Sequence, residues 1–156
     1  MVNTSMYRIA SRFIGTREIK GAVDNPAIMT MLRLDNRWPE HDEIPWCSAF
    51  INYIAWILGY ERTKKLNARS WLVIGKSIRL EDAVQDSDIV IFKVGDGPQP
   101  GSTVLNAPGH VSLFSEIIDD ELVSVLGGNQ SDSIGIRPYR ISDILSVRRL
   151  SPILDH

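Results

Sequence analysis

The stretch DEIPWCSAFINYIAWILGY, residues 42–60, decides the fold and contains the only cysteine of the chain, Cys47. Its apolar side chains recur with the period of one helix face, at Cys47, Phe50, Ile51, Ile54 and Leu58. Pro45 fits the first turn of such a helix, and Gly59 fits its end. The spacing therefore predicts an amphipathic helix with the thiol near its N-terminus.

The position of Cys47 allows two interpretations. The partial positive charge and free backbone N–H groups at a helix N-terminus stabilise a thiolate, and the same donors suit an oxyanion. Free cysteine is also among the most buried residue types, and Cys47 lies on the apolar stripe. Helix position alone favours core packing, so a nucleophilic role requires a partner base.

Three histidines are available as that base: His41, His110 and His156. His156 is terminal, and His41 precedes the helix in a loop. His110 begins the run HVSLFSEII, whose alternation is typical of a strand and places His110 on one face with Ser112. An exposed histidine at the start of a strand is by itself uninformative.

A hairpin makes His110 informative. If strands 110–118 and 121–129 pair antiparallel about a turn at Asp119-Asp120, His110 lies directly opposite Asn129. Cross-strand partners have Cβ atoms about 5 Å apart, so the amide oxygen of Asn129 can accept the imidazole N–H. That is a Cys-His-Asn arrangement, although GGNQSDSIG is equally a good turn sequence. A register slip of one residue would break the contact.

The order of the remaining patterns predicts an α+β fold in a single domain spanning residues 1–156. Helices are predicted for 6–13, from Asn25-Pro26 onward and for 68–75, and strands for 88–94, 110–118, 121–126, 134–139 and 146–150. We therefore expect N-terminal helices packed on an antiparallel sheet.

Composition names no macromolecular partner. The chain has a net charge of -2, and its only local basic excess, Arg137, Arg140, Arg148 and Arg149, favours a solvated rim over a nucleic-acid site. No run approaches the ~20 apolar residues of a membrane span, and residues 1–15 lack the apolar core of a signal peptide. We expect a monomer made in the cytoplasm, without membrane insertion.

Six segments together resemble the CHAP and NlpC/P60-like cell-wall hydrolases: NPAIM (25–29), IPWCSAF (44–50), ARSWL (68–72), DIVIF (88–92), GHVSLF (109–114) and VLGGNQSD (125–132). The likeness covers about residues 7–150 and is greatest to a single-domain subgroup common in phage lysins. It implies a papain-like fold that cleaves amide bonds in peptidoglycan. By motif position it implies that Cys47 is the nucleophile, His110 the general base and then acid, and Asn129 the orienting group.

Further residues near these motifs are candidates for substrate contact. Trp46 and Trp71 are suited to stack on a sugar or line a peptide groove, although a tryptophan in a small domain is more often part of the core. Arg69 can bind a stem-peptide carboxylate or form a surface ion pair. Ser48 and Glu18 are weaker candidates for the rim of the cleft.

The chain departs from the family at the oxyanion site. Papain-like enzymes often place a glutamine shortly before the cysteine as a second oxyanion donor, and this chain has none there. The backbone N–H of Cys47 or Ser48 then carries more of that role, or Gln130 or His41 reaches the site.

Some relatives bind calcium near the nucleophile. Asp42 and Glu43 are not part of a spaced set of oxygen ligands, and they fit helix capping better. We therefore expect no metal and no cofactor.

The preferred hypothesis is a peptidoglycan hydrolase that acts through an acyl-enzyme. A non-catalytic wall-binding module of the same fold is one alternative, and a thiol acyltransferase or amidohydrolase acting on another protein is a second. A lysin released through a membrane lesion fits the missing signal peptide. An injected toxin, which would need an immunity protein as partner, fits it equally.

Overall fold

The computed structural model describes residues 4–19, 24–39 and 45–153. Three α-helices lie in the first part of this range: α1 (Met6–Ser11), α2 (Pro26–Leu32) and α3 (Cys47–Leu58). Asn25 caps α2 by accepting the Ala27 N–H, and Pro26 occupies the first helical position, as the order of these residues predicts. A 3₁₀ helix, Ala68–Val73, stands where a short helix is predicted.

Helix α3 begins one turn later than its sequence suggests. Trp46 is the N-cap and forms no side-chain capping bond, so Pro45 lies outside the helix and Cys47 is its first residue. The expected cap by Asp42 or Glu43 is therefore wrong in position. Those two residues, together with His41 and His156, lie outside the described part of the chain. Gly59 ends the helix with φ 69, a left-handed conformation that favours glycine.

Six strands form one antiparallel sheet in the order β1-β6-β2-β3-β4-β5. Their bounds are β1 Lys76–Ile78, β2 Asp88–Lys93, β3 Gly109–Ile117, β4 Leu122–Gln130, β5 Ser133–Arg140 and β6 Ile144–Arg149. The predicted α+β class, with helices packed on an antiparallel sheet, is confirmed. Strand β1 has only three residues and was not predicted.

Both faces of the sheet carry buried apolar side chains. On β2, Ile89 and Ile91 belong to the core beneath the helices, whereas Val90 and Phe92 belong to a second cluster on the opposite face. Because neighbouring strand residues point to opposite faces, a strand buried on both sides reads as the continuous apolar run DIVIF. The α3 stripe packs into the first core, where Phe50, Ile51 and Ile54 are fully buried.

The β3–β4 hairpin follows the expected register only along its middle. Leu113 pairs with Leu126, as the predicted turn requires, and the Asp119 side chain accepts the N–H groups of Glu121 and Leu122 at the turn. The regular pairing with β3 ends at Leu126, and β4 bulges between Gly127 and Gln130 against β5. The segment that carries the predicted partner of His110 therefore leaves the ladder.

The C-terminal arginines are mostly engaged within the fold. Arg149 forms a bidentate pair with the buried Asp88, and Arg148 donates to the carbonyls of Ile74 and Gly75. Arg140 pairs with Asp143. These contacts tie β6 and its neighbours together, which agrees with a structural rim. Within the described residues, no helix is long and apolar enough to cross a membrane.

Candidate active site

The first turn of α3 meets the start of β3 at the mouth of a cleft of about 490 Å³. Cys47 and His110 both line this cleft and are only 5% and 6% exposed. The rest of its wall comes from several parts of the chain: Pro45, Leu66, Asn67, Ala68, Val94, Ala107, Pro108, Gly109, Asn129 and Tyr139. The structure thus brings together the two residues that the sequence singled out as nucleophile and base.

The surroundings of Cys47 favour its thiolate. Burial acts to raise the pKa of the thiol, but the hydrogen bond and charge of His110, with backbone hydrogen bonds from Val111 and Ser48, hold the pKa below its usual value of 9.0. Trp46, the N-cap of α3, forms no side-chain capping bond, and the backbone N–H of Ser48 in the first turn acts on the sulfur. The N–H groups of this turn are the available oxyanion donors.

His110 shows the opposite displacement. Burial acts to lower its pKa, but the hydrogen bond and charge of Cys47 and the hydrogen bond to Gln130 raise the pKa above the usual 6.5. A lowered thiol pKa beside a raised imidazole pKa is the signature of a thiolate–imidazolium pair. The pair as a whole is therefore suited to nucleophilic chemistry near neutral pH.

Gln130 orients the imidazole. Its amide nitrogen donates to the carbonyls of Gly135 (2.7 Å) and Val125 (3.3 Å), so its oxygen must face His110 Nε2, which lies 2.9 Å away. Ser112 Oγ lies 2.8 Å from the same Nε2 and donates to the Gln130 oxygen at 2.6 Å. An amide oxygen only accepts, so Nε2 carries the proton. This leaves Nδ1 as the basic nitrogen for the thiol.

The predicted contact between Asn129 and His110 is wrong. Asn129 lines the cleft in a left-handed conformation (φ 57), and it is Gln130, the next residue, that bonds to the imidazole. The bulge after Gly127 shifts the chain by one residue, which reverses the faces to which side chains point. Asn and Asp tolerate left-handed backbone, and Ser131 and Asp132 also have positive φ. The Asn and Asp residues of the run NQSD (129–132) are therefore the feature of the sequence that indicates this irregular backbone.

The paired glycines of LGGNQ permit this arrangement. A Cβ on Gly127 would collide with Ser112 Oγ and approach the Gln130 oxygen to 2.8 Å. A Cβ on Gly128 would lie 2.6 Å from the ring of Trp46. Side chains at these two positions would therefore displace either the polar network at His110 or the residue that precedes the nucleophile.

Trp46, Ser48 and Trp71 are not substrate residues, because each is fully buried. The Trp46 indole N–H donates to Glu18 at 2.7 Å, which also makes Glu18 a structural partner. Ser48 accepts the Trp71 indole N–H at 2.9 Å and donates to the Lys65 carbonyl at 2.6 Å. These bonds attach the first turn of α3 to its neighbours, and the core interpretation of both tryptophans is the right one.

Arg69 is also fully buried, so neither a stem-peptide carboxylate nor a surface ion pair is its partner. Its guanidinium donates at 2.8–3.0 Å to four backbone carbonyls of one loop, those of Pro100, Gly101, Val104 and Pro108. The loop supplies Ala107 and Pro108 to the wall of the cleft. Arg69 thus shapes the cleft without facing it. Gln130, only 1% exposed, likewise acts on His110 and not on the substrate.

Tyr139 is a site residue that the sequence did not indicate. Its ring stacks on the His110 imidazole, with ring centroids 4.9 Å apart and an interplanar angle of 11°. It comes from β5, which is separated from β3 by β4 in the sheet. No local pattern links residues so far apart, so only the folded chain reveals the contact.

Among the described residues, no group of three or more His, Cys, Asp or Glu side chains is placed to hold a metal ion. The polar groups that meet at the cleft are instead a thiol, an imidazole and amides. That set can perform acyl transfer by a thiol nucleophile and a general base.

Comparison with known proteins supports the fold and goes no further. No family model and no curated protein matches the sequence. Among solved structures, the chain is similar to that of NlpC1 from Trichomonas vaginalis, with a TM-score of 0.55 and 13% identity. The match covers 97% of this chain and 47% of NlpC1, so the chain spans about half the length of that protein. The fold is therefore the papain-like α+β fold of NlpC/P60 proteins.

Proposed function

We propose that the protein is a cysteine hydrolase that cleaves an amide bond of peptidoglycan. The observation that carries the proposal is the placement of Cys47, at the start of α3, in one cleft with a His110 whose Nε2 is held by Gln130. Nucleophile, base and orienting group then stand in the order that thiol hydrolysis needs. The NlpC/P60-like fold supports the cell wall as the source of the substrate.

The first half of the reaction forms an acyl-enzyme. His110 Nδ1 holds the proton of Cys47, and the thiolate attacks the amide carbonyl carbon to form a C–S bond. The carbonyl oxygen becomes an oxyanion, which the N–H groups at the start of α3 stabilise. His110 then gives its proton to the leaving nitrogen as the C–N bond breaks, which leaves a thioester and a free amine.

The second half of the reaction hydrolyses the thioester and regenerates the free enzyme. Nδ1 of His110 takes a proton from water, and the water oxygen attacks the thioester carbonyl. As the C–S bond breaks, a carboxylic acid leaves and the thiolate–imidazolium pair is restored. Gln130 accepts the hydrogen bond from Nε2–H throughout. Nε2 therefore keeps its proton, and only Nδ1 gains and loses one.

The proposed substrate bond is an amide of the stem peptide or the amide between glycan and peptide. The proposal also includes a route by which the protein reaches the cell wall. Release of a CHAP-like phage lysin through a membrane lesion and injection of a toxin are the two routes. A neighbouring gene for a membrane-lesion protein supports the first, and one for a small inhibitor supports the second.

The proposal is tested with purified sacculi and the Cys47→Ala variant. We expect the wild-type protein to release new amino groups, and the variant to lose on the order of 10³-fold or more of that rate. Mass spectrometry of the released muropeptides identifies the bond. A variant with the wild-type rate would remove the thiol from the mechanism.

Circular dichroism and sacculus binding serve as controls for folding of the variant. Tight binding of the wild-type protein without release of amino groups would instead support a wall-binding module. Labelling of Cys47 by an electrophile, combined with no action on sacculi, would support a thiol enzyme with another substrate.

A further inference from the structure

The imidazole of His110 is held on one face by an aromatic pair. Tyr139 stacks on it almost in parallel, at 4.9 Å and 11°, and Tyr139 in turn stacks on Phe92 at 4.9 Å and 27°. Phe92 is fully buried and is the register partner of His110 on β2. Tyr139 therefore rests on a rigid support and covers the ring from a third strand.

This face contact supplies a constraint that the hydrogen bonds do not. Gln130 and Ser112 both act at Nε2, so they hold one edge of the ring. The nearly parallel ring of Tyr139 acts on the face of the imidazole and restrains the tilt of its plane. With both constraints present, Nδ1 is directed at Cys47 and not merely left free.

The same contact also acts on charge. The electron-rich face of an aromatic ring attracts a cation, so a stacked phenol favours imidazolium over neutral imidazole. Burial, and the charge of Cys47, raise the pKa of Tyr139 to about 12, so its hydroxyl stays neutral under working conditions. The ring therefore adds no competing negative charge beside His110.

We propose that Tyr139 is a positioning residue, which holds the His110 imidazole in its reactive plane and stabilises its protonated form. The part of this claim that concerns catalysis rests on the function proposed above. The part that concerns the protonation of His110 does not, because it can be measured without substrate.

Among the described residues, few titratable groups act on the stacked pair. Cys47 faces His110 from α3, and Tyr139 faces it from β5, whereas Gln130, Ser112 and Phe92 are neutral. The positive charge of Arg137, two residues before Tyr139, acts to lower the pKa of the Tyr139 hydroxyl, but the net change of that pKa is upward. Besides Tyr139, the Cys47 thiolate is therefore the main influence on the His110 pKa. Because Cys47 is unchanged in both variants, a difference between them reports on Tyr139.

The expected effect has a definite direction. Loss of the ring destabilises every state that contains imidazolium by the same amount, including the low-pH state in which Cys47 is a thiol. When the thiol loses its proton, His110 is imidazolium both before and after. The two states are destabilised equally, so the acidic limb of kcat/KM stays in place. Loss of the imidazolium proton becomes easier, so the alkaline limb moves to lower pH.

The experiment compares Tyr139→Leu, which removes the ring but keeps apolar volume, with Tyr139→Phe, which keeps the ring and removes the hydroxyl. The His110 pKa is measured by ¹⁵N NMR of the imidazole in the full chain without substrate. We expect it to fall about one unit in Tyr139→Leu, a roughly tenfold loss of proton affinity, and to remain near wild type in Tyr139→Phe. The alkaline limb of kcat/KM should shift with it.

Two results would overturn the proposal. One is an unchanged His110 pKa in Tyr139→Leu, with wild-type activity at every pH. The other is an equal fall in both variants, which would assign the effect to the hydroxyl. Thermal melts and backbone amide spectra verify folding. If no variant and no wild-type sample acts on sacculi but the NMR shift is present, the proposed function fails while the positioning role stands.

Discussion

The Gln130 amide decides which nitrogen of His110 can act as a base. Its nitrogen is committed to the carbonyls of Gly135 and Val125, so its oxygen has to accept from Nε2. A neutral imidazole has one donor and one acceptor, and assigning the donor to Nε2 assigns the acceptor to Nδ1. The thiol of Cys47 therefore meets a ring that is already in the reactive tautomer.

Substitution at Gln130 tests this assignment. In Gln130→Leu the amide oxygen is lost, so His110 is no longer held in one tautomer, and we expect kcat to fall on the order of a hundredfold or more. Above the imidazolium pKa, where the ring is neutral, imidazole ¹⁵N shifts should change from a single Nε2-protonated form to a mixture. This spectroscopic readout does not require residual activity.

Asn129→Gly is the matched control, because glycine accepts the left-handed backbone at this position without strain. We expect it to keep activity within about tenfold of wild type. A larger loss in Asn129→Gly than in Gln130→Leu would restore Asn129 as the orienting residue and contradict the bond at Gln130.

The pH profile of kcat/KM follows from the two displaced pKa values. Activity requires the Cys47 thiolate, whose pKa is below 9.0, and the His110 imidazolium, whose pKa is above 6.5. We expect a bell-shaped profile, with activity lost as pH falls through the thiol pKa and again as it rises through the imidazolium pKa. Steady-state rates on solubilised muropeptides across pH 4–11, roughly, would measure it. A single alkaline rise centred near 9.0 would instead indicate an isolated thiol.

Among the elements, α3 combines two tasks. Its apolar stripe, with Phe50, Ile51 and Ile54 fully buried, fixes the helix against β3 and β4. Its first turn, where the N-cap Trp46 forms no side-chain capping bond, presents Cys47 to the cleft. A helix end left without a side-chain cap costs stability unless another group satisfies it, and here the thiolate and the oxyanion of the reaction are suited to do so.

The loop from residue 100 to 108 is the element whose shape depends on one buried side chain. In Arg69→Met the carbonyls of Pro100, Gly101, Val104 and Pro108 lose their donor, and we expect a loss of about 3 kcal/mol in the free energy of unfolding. The cleft wall should loosen, which raises KM and makes the loop sensitive to proteases. Urea denaturation and limited proteolysis measure both effects.

Arg79→Met is the control for this prediction, because Arg79 is exposed and pairs only with the exposed Glu81 and Asp82 among the described residues. We expect its stability, KM and protease sensitivity to stay near wild type. If Arg69→Met behaved in the same way, the four carbonyl bonds would not be what holds the loop.

For the molecule as a whole, the sheet separates two apolar clusters, both of which take buried side chains from β2, β3 and β4. Val90 and Ile91 are neighbours on β2 and fully buried. Val90 belongs to the second cluster, and Ile91 belongs to the core beneath the helices. Because one strand carries both, we expect the clusters to unfold together. Val90→Ala and Ile91→Ala should each lower the free energy of unfolding of one shared transition by about 2 to 4 kcal/mol.

Calorimetry and urea denaturation, followed by tryptophan fluorescence and by circular dichroism, check this expectation. Coincident transitions in both variants would agree with one cooperative unit. Two separate transitions, with Val90→Ala moving only one of them, would show that the clusters are independent and would contradict a single domain.

Local periodicity in the sequence was sufficient for much of this fold. The stripe of α3, the thiol near its start, the Asn25-Pro26 helix start and the strand at His110 all follow from residue spacing, because helices and strands repeat over a few covalently linked residues. The hairpin register was also correct at Leu113 and Phe114, although a bulge after Phe114 shifts the pairing by one residue toward the turn. These features place Cys47 at a helix start and His110 at a strand start, and the folded chain brings the two residues to one cleft.

Only the tertiary structure decided which groups surround that pair. A bulge reversed the facing of Asn129 and Gln130, since a shift of one residue exchanges the two faces of a strand. Tyr139 reaches His110 from β5 through the packing of the sheet, which leaves no trace in residue spacing. Burial turned Arg69 from a substrate ligand into the anchor of a loop, because the pairing of a charge depends on what folds around it.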